Sequence, residues 1–207
     1  PAVVPRRAWP LGAIHRSTGA VVTPPGYPNW LNLAGIPQAV KSSYTTWAND
    51  PLRKERVSVA LVGAQDGMLH AFDAGSYRHG DDPSTGGSEQ RGYFVKSGAT
   101  RSYGTGDEVW AWIPPSQLNH LKNNYVRDYY PEQNPWAQVN GSIALEDILV
   151  GTAWKTAVFY THGTVHPYLS ALDVTTPTNP QILWDHDWTD ADFNGTFQPP
   201  ALAWLNS

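Results

Sequence analysis

The sequence contains no cysteine and few charged residues. Cysteine is absent from all 207 residues, and Asp, Glu, Lys and Arg together make up 15% of the chain. A disulfide framework and thiolate metal sites are therefore excluded. The net charge of −4 offers no basic surface of the kind on which nucleic-acid binding depends, so we expect no nucleic-acid partner.

Long apolar runs and familiar catalytic motifs are also missing. No apolar run approaches the roughly 18 residues that a membrane-spanning helix needs, so we expect no membrane span. There is no nucleophile-elbow, zinc-protease or phosphate-loop motif, and we expect that the chain is not an enzyme. The chain begins Pro1-Ala2-Val3 without Met, which indicates a piece processed or excised from a longer protein.

Aromatic residues and turn formers are abundant. Trp and Tyr number ten each, and Gly and Pro 18 each, which is typical of short strands and turns with aromatic packing. The central unit is residues 57–74, where two apolar runs flank Asp66-Gly67, a strong hairpin signal. Gly63 is interpreted as a break after the first run. Other strands are predicted at 20–22, 93–96, 108–113, 143–145, 148–150, 155–160, 168–174, 181–184 and 201–205.

Two short helices are predicted between these strands. One covers residues 44–50, with Ser42 or Ser43 as its cap, after an irregular loop over residues 26–40. The other begins at Ser116 and continues through Tyr125, because apolar residues recur at helical spacing.

The sequence contains a weak internal repeat. Leu-Val-Gly at 61–63 recurs at 149–151, and each copy is followed by a strand that closes on Asp73 or Asp173. Unequal offsets indicate inserted loops. Radial four-stranded blades of a β-propeller would give such a pattern, and a sandwich or barrel remains the alternative.

Several polar residues have both a structural and a chemical interpretation. We expect Asp66 to serve the turn, Asp73 and Asp173 to bind backbone amides, and His70 to be packed. His162 and His166 have a zinc-like spacing but lack a third ligand. Weak calcium candidates, which are alternatively a solvated acidic turn, are Asp185, Asp187, Asp190 and Asp192.

Two long loops are the expected contact regions. Residues 75–107 form a polar, glycine-rich insertion, and loops of this length are functional or disordered. Aromatic residues in loops, Tyr27 and Trp30 among them, suit protein or sugar recognition when exposed and core packing when buried. The binding-loop candidates are Tyr77, Arg78, Tyr93, Tyr129, Tyr130 and Trp136.

Residues 61–75, LVGAQDGMLHAFDAG, resemble the C-terminal β-propeller of PilY-type type IV pilus tip proteins, a quinoprotein-like propeller family. Further segments resemble that family in the same order, at 9–25, 43–57, 108–121, 139–148 and 171–184. Ala13 and Asn140 stand where the family commonly has Asp. The family's calcium loop is not found in this chain.

The resemblance implies an all-β fold with one or two short helices, a partial propeller forming a single domain over residues 1–207. Residues 1–56 would be the lead-in and first strands, 57–138 a blade carrying the loop 75–107, and 139–207 the following blade or blades.

The resemblance also implies a non-enzymatic adhesion and assembly module at the tip of a type IV pilus, extracellular and on the bacterial surface. It would support pilus biogenesis, surface attachment and twitching motility. Its partners would be minor pilins, other tip components, and host or abiotic surfaces. No cofactor is expected in this segment, although calcium is possible in the family. The alternatives are a quinone-dependent dehydrogenase-like propeller and a carbohydrate-binding propeller.

Overall fold

The computed structural model describes residues 11–88, 91–119, 138–163 and 168–187. This part of the chain is mostly β-sheet with few helices. The helices are α1 (Gln38–Ala48) and α2 (Pro51–Lys54), with 3₁₀ turns at Asn29–Asn32 and Pro115–Gln117. The strands are β1 (Ala20–Val22), β2 (Val59–Gly63), β3 (Leu69–Asp73), β4 (Tyr77–Arg78), β5 (Tyr93–Phe94), β6 (Lys96–Ser97), β7 (Thr100–Arg101), β8 (Glu108–Trp112), β9 (Ile143–Val150), β10 (Ala153–His162), β11 (Tyr168–Asp173) and β12 (Gln181–Asp187).

The first four-stranded sheet has the antiparallel order β1-β2-β3-β8. Its centre is the predicted hairpin: the Ala64 amide donates to the Met68 carbonyl at 3.0 Å, and Gly67 adopts φ 93°. The hairpin prediction is confirmed. The interpretation of Gly63 as a break is wrong, because Gly63 is paired with Leu69 inside the sheet. A Cβ there would lie 2.2 Å from the Val139 carbonyl oxygen, so Gly63 allows that backbone to pass.

The second four-stranded sheet has the antiparallel order β9-β10-β11-β12. Strand β9 is continuous, so the prediction of two separate strands at 143–145 and 148–150 is wrong. Polar Glu146 and Asp147 interrupt the apolar pattern, but they pair with Ala157 and Thr156 of β10. Asp147 stays in the sheet because its carboxylate accepts hydrogen bonds from Thr156 and Tyr44.

The main core lies between the two sheets. Side chains of β2 and β3 meet those of β10 and β11, and Val139 joins them from the connecting segment. The alternation along β2, where Val59, Leu61 and Gly63 are buried, places one apolar face of that strand against the second sheet. The buried members of this core are Val22, Val59, Leu61, Leu69, Ala71, Val139, Ile143, Val158, Tyr160, Leu172 and Val174.

Helix α1 begins at Gln38 after Pro37, six residues earlier than predicted, so the expected loop over 26–40 is too long. Ser43 is not a cap, because its hydroxyl donates to the Val40 carbonyl and accepts from the Trp154 indole. The helix is held by an aromatic cluster in which Tyr44 meets Trp154 edge-on, with ring centroids 5.0 Å apart. Tertiary packing of this kind outweighs weak local helix propensity.

Pro115–Gln117 form a 3₁₀ turn after Pro114, and the chain is α-helical at Leu118 and Asn119, where this described range ends. Ser116 is not the cap, because it lies inside the turn, whose N-cap is Pro114; its backbone amide donates to Asp185 Oδ2 at 2.8 Å. The remainder of that predicted helix, and the strand predicted at 201–205, lie outside the described residues. Among the described residues, no helix is both long and apolar enough to cross a bilayer.

Candidate binding surface

The insertion of residues 76–103 leaves the first sheet through a narrow neck. Gly75 and Gly104 lie back to back: a Cβ on Gly75 would be 2.5 Å from the Gly104 nitrogen, and both residues have positive φ. The Asp73 carboxylate accepts from the amides of Gly75 and Thr105, each at 2.9 Å. These two bonds lower the pKa of Asp73, and they confirm its predicted structural role.

The insertion has internal order of its own. It contains the two small hairpins β4–β5 and β6–β7. The rings of His79, Tyr77, Phe94 and Tyr103 pack edge to face in succession, with centroid separations from 4.9 to 5.7 Å. Hydrogen bonds from Ser84 hold the pKa of Asp82 at about 2, and Arg101 pairs with the same carboxylate. The insertion is therefore an ordered unit whose surface has a defined shape.

Arg78, a predicted binding residue, fastens the insertion to the lead-in. Its guanidinium donates to the Glu55 carbonyl at 2.7 Å and to the Arg56 carbonyl at 3.1 Å. Both acceptors follow α2, where unpaired helix carbonyls favour a cation. Tyr77 donates to the Arg91 carbonyl and is half-buried, as is Tyr93. Tyr129, Tyr130 and Trp136 lie outside the described residues.

A cavity of about 470 Å³ lies between the insertion and the lead-in. Arg78, His79 and Tyr93 line it from the insertion, and α1 lines the opposite side. A second cavity of about 470 Å³ adjoins it along α1 and shares Tyr27, Leu31 and Thr45 with the first. We call the two cavities together the α1 groove.

Tyr27 stands between the two cavities on a fixed backbone. The carbonyl of its neighbour Gly26 accepts from the Tyr44 hydroxyl at 3.1 Å. The carbonyl of Pro24 lies 2.9 Å from His79 Nε2. Tyr27 itself is 72% exposed. Its ring is thus held in place by its neighbours while its surface stays open to solvent.

Sequence reasoning missed the α1 side of this groove. Its residues follow one helical stripe, Gln38, Lys41, Ser42, Thr45 and Asn49, with the spacing of successive turns. The signal was present in the sequence, but residues 26–40 were interpreted as loop, so the stripe was not assembled.

A buried arginine fixes the lead-in against both sheets. Arg56 donates through Nε to the Thr23 carbonyl at 3.0 Å and through Nη1 to Thr156 Oγ1 at 2.8 Å. Thr156 donates to Asp147, which also accepts from the Tyr44 hydroxyl. Burial lowers the pKa of Arg56 to about 10, and burial together with Asp147 raises the pKa of Tyr44. This network sets the position of α1 and of the groove.

His70 is buried, as predicted, and it lies between two carboxylates. Its Nδ1 lies 2.5 Å from Glu108 Oε1, and its Nε2 lies 3.1 Å from each oxygen of Asp66. Asp66 also accepts from the Gly12 amide at 2.7 Å and from the Met68 amide at 3.1 Å. Burial alone would lower the pKa of His70, but the two carboxylate contacts outweigh it and raise the pKa.

His162 lies in a second polar cluster that has the residue types of a catalytic triad. Ser170 donates to Asp185 Oδ1 at 2.5 Å, and both face the same imidazole atom, His162 Nε2, at 2.7 and 3.4 Å. Nδ1 of His162 has no hydrogen-bond partner within the described ranges. A nucleophilic relay needs the serine and the carboxylate on opposite nitrogens, so this geometry supports a structural cluster.

The metal predictions remain untested. Both carboxylate oxygens of Asp185 accept hydrogen bonds from the protein, from Ser170 and from the Ser116 amide. Asp190, Asp192 and His166 lie outside the described residues, as does the side chain of Asp187. In the described ranges, no group of three or more His, Asp or Glu side chains is arranged so that it could hold a metal ion.

Comparison with known proteins gives consistent matches over most of the chain. A type IV pilus biogenesis factor PilY1 homolog of Xylella fastidiosa is 32% identical over 170 residues, which are 78% of this chain. The type IV pilus biogenesis factor PilY1 of Pseudomonas aeruginosa strain UCBPP-PA14 is 30% identical over 198 residues, 95% of this chain. The chain spans only 11% and 14% of the length of these two relatives. No protein-family model matches the chain.

A solved structure shares the architecture. The crystal structure of the Pseudomonas aeruginosa PilY1 C-terminal domain matches 90% of this chain, with a TM-score of 0.55 and 26% identity, and this chain covers 29% of it. The fold is a partial β-propeller, in which each four-stranded antiparallel sheet is one blade. The chain corresponds to part of a PilY-type C-terminal domain.

Proposed function

We propose that this segment is a non-enzymatic adhesion and assembly module at the tip of a type IV pilus. Two blades form the scaffold, and the insertion of residues 76–103 is the contact element. The proposal is supported by relatives that are named type IV pilus biogenesis factors. In this proposal the module is extracellular, contacts minor pilins and other tip components, and supports surface attachment and twitching motility.

The observation that carries the proposal is the neck of the insertion. Residues 76–103 project from a blade through Gly75 and Gly104, while Asp73 closes the neck with amide hydrogen bonds. A rigid scaffold that presents an ordered loop is a common design for recognition. In this proposal the two roles are separate: the blades make the assembly contacts and the insertion makes the surface contacts. The absence of a cofactor in this segment, with calcium elsewhere in the family, stays a prediction.

The test replaces residues 76–103 with a short Gly-Ser linker and keeps Asp73, Gly75 and Gly104. Because the ends of the insertion already meet, we expect the blades to fold and the pili to assemble, while surface attachment of cells carrying the variant falls strongly. The numbers of attached cells and surface pili and the amount of secreted protein are measured in the same cultures. A second variant carries a Gly-Ser linker of the original length, which separates lost contacts from changed spacing.

Unchanged attachment in both variants would show that the insertion is not the contact element. Loss of pili with normal protein levels would instead place the insertion in assembly.

A further inference from the structure

We propose that the α1 groove binds a short oligosaccharide, with Tyr27 as the stacking platform. The inference rests on the proposed function for one point only: that the ligand is a glycan on the surface to which cells attach. Its geometric basis does not depend on that role, because the stacking ring Tyr27 and helix α1 belong to the lead-in and the insertion lines only the opposite side.

The platform is an exposed aromatic ring that the fold keeps rigid. Tyr27 is 72% exposed, its hydroxyl has no partner among the described residues, and it lies between Gly26 and Pro28. Proline restricts the backbone, and the hydrogen bond from Tyr44 to the Gly26 carbonyl fixes it further. A Tyr side chain offers a large amphipathic surface with little conformational entropy to lose, which suits recognition.

The groove is elongated along α1, which suits a linear ligand. The residues that line its two cavities extend along α1 from Gln38 to Asn49. Eleven helical residues rise about 16 Å, enough for more than one sugar ring. Each cavity falls within the usual size range of ligand sites, and Tyr27 stands at the junction where one ring could stack.

The polar groups along the groove match hydroxyl-rich chemistry. On the α1 side they are mostly hydroxyl and amide groups, from Gln38, Ser42, Thr45, Thr46 and Asn49. These groups both donate and accept hydrogen bonds, as sugar hydroxyls do. Charged side chains also line the groove, namely Lys41, Lys54, Arg78 and Glu55, and those of Lys41 and Arg78 donate to backbone carbonyls. An aromatic face beside groups that donate and accept hydrogen bonds matches a saccharide, which has apolar ring faces and hydroxyl groups.

The test begins with an array of cello-, chito-, mannose-containing and sialylated oligosaccharides probed with the full chain. The strongest binder is then titrated by calorimetry against three variants. We expect Tyr27→Ala to weaken binding about tenfold or more, because the stacking surface is lost. Tyr27→Phe keeps the ring and should stay within about threefold of the original affinity.

The matched control is Trp184→Ala. Trp184 is also exposed, at 40%, and it lies on β12 of the second blade, outside both the groove and the insertion. Binding equal to that of the original chain is expected for this variant, and thermal unfolding checks that all three variants are folded.

Three results would overturn the proposal: no saccharide bound by the array, equal binding by Tyr27→Ala, or a peptide binder that competes at Tyr27 while no saccharide does. Pilus assembly is scored separately in cells carrying Tyr27→Ala. Lost saccharide binding with normal pili supports the saccharide proposal and separates it from assembly. Normal binding with lost pili would overturn the saccharide proposal and show that Tyr27 serves assembly instead.

Discussion

The two blades carry similar polar clusters that differ in how the histidine is paired. His70 of the first blade has a carboxylate at each ring nitrogen, Glu108 at one and Asp66 at the other. His162 of the second blade faces Ser170 and Asp185 through one nitrogen, while its second nitrogen has no partner in the part of the chain that the structure describes. The pKa of His70 is consequently raised, whereas burial lowers the pKa of His162 despite Asp185. Two buried histidines in related blades therefore prefer opposite charge states.

The difference shows that burial alone does not decide the charge of a histidine. Both side chains are at most 4% exposed. Two things differ: His162 lies deeper in the protein, and among the described residues it has one carboxylate nearby where His70 has two. The first blade thus favours a charged histidine in the cluster that holds Gly12 against its hairpin, and the second favours a neutral histidine beside the Asp185 carboxylate.

The largest expected effect comes from removing the carboxylate that joins the charged cluster to the chain around Gly12. Asp66→Ala should lower the free energy of unfolding by about 3 kcal/mol, because buried His70 and the amides of Gly12 and Met68 lose their acceptor. Urea denaturation measures the loss. Asp50→Ala, which removes an exposed helix cap, is the control and should cost about 1 kcal/mol. Equal losses in the two variants would contradict the central role of Asp66.

The next effect is a pH dependence of opposite sign for the two histidines. The folded pKa of His70 is raised, so its stabilisation is fully present below about pH 6.5, the unfolded value, and is lost as the pH rises through the folded value. The folded pKa of His162 is lowered, so its contribution is present above about pH 6.5 and is lost as the pH falls through the folded value.

Unfolding of His70→Gln and His162→Gln at about pH 5.5 and about pH 8.5 tests this contrast. His70→Gln should lose more stability, relative to the original chain, at the lower pH. His162→Gln should lose more at the higher pH. The same pH trend in both variants would show that the two clusters do not differ in charge state.

The smallest expected effect is that of Glu108, because its side chain is 47% exposed. Glu108→Gln keeps the shape but removes one charge beside His70, so we expect a loss of about 0.5 kcal/mol that shrinks in high salt. NMR titration of His70 should show a lower pKa in this variant than in the original chain. An unchanged His70 titration would mean that Asp66 alone sets its charge.

Sequence reasoning succeeded where the signal is local. Val59 and Leu61 alternate with less buried neighbours, and Asp66-Gly67 provides the turn, so the central hairpin was predictable. It failed where distant residues decide the outcome. The polar pair Glu146 and Asp147 was taken as an interruption, because the partners that satisfy Asp147, Tyr44 and Thr156, are not its sequence neighbours.

The candidate groove was predictable only in part. The insertion and its residues Arg78 and Tyr93 were selected from the sequence as contact candidates, and both line the groove. The structure assigns Arg78 a fastening role, because its guanidinium donates to backbone carbonyls after α2. The helical side of the groove was missed, because residues 26–40 were interpreted as loop although α1 begins at Gln38, directly after Pro37.

The amino-acid sequence by itself determined the central hairpin and its turn, since alternation and turn chemistry act between near neighbours. It also determined the exclusion of disulfides, through the absence of cysteine. Only the tertiary structure decided the charge states of His70 and His162, the role of Arg78 and the existence of the α1 groove. Each of these depends on contacts between residues far apart in the chain, such as Arg56 with Thr156, and a linear pattern does not record such contacts.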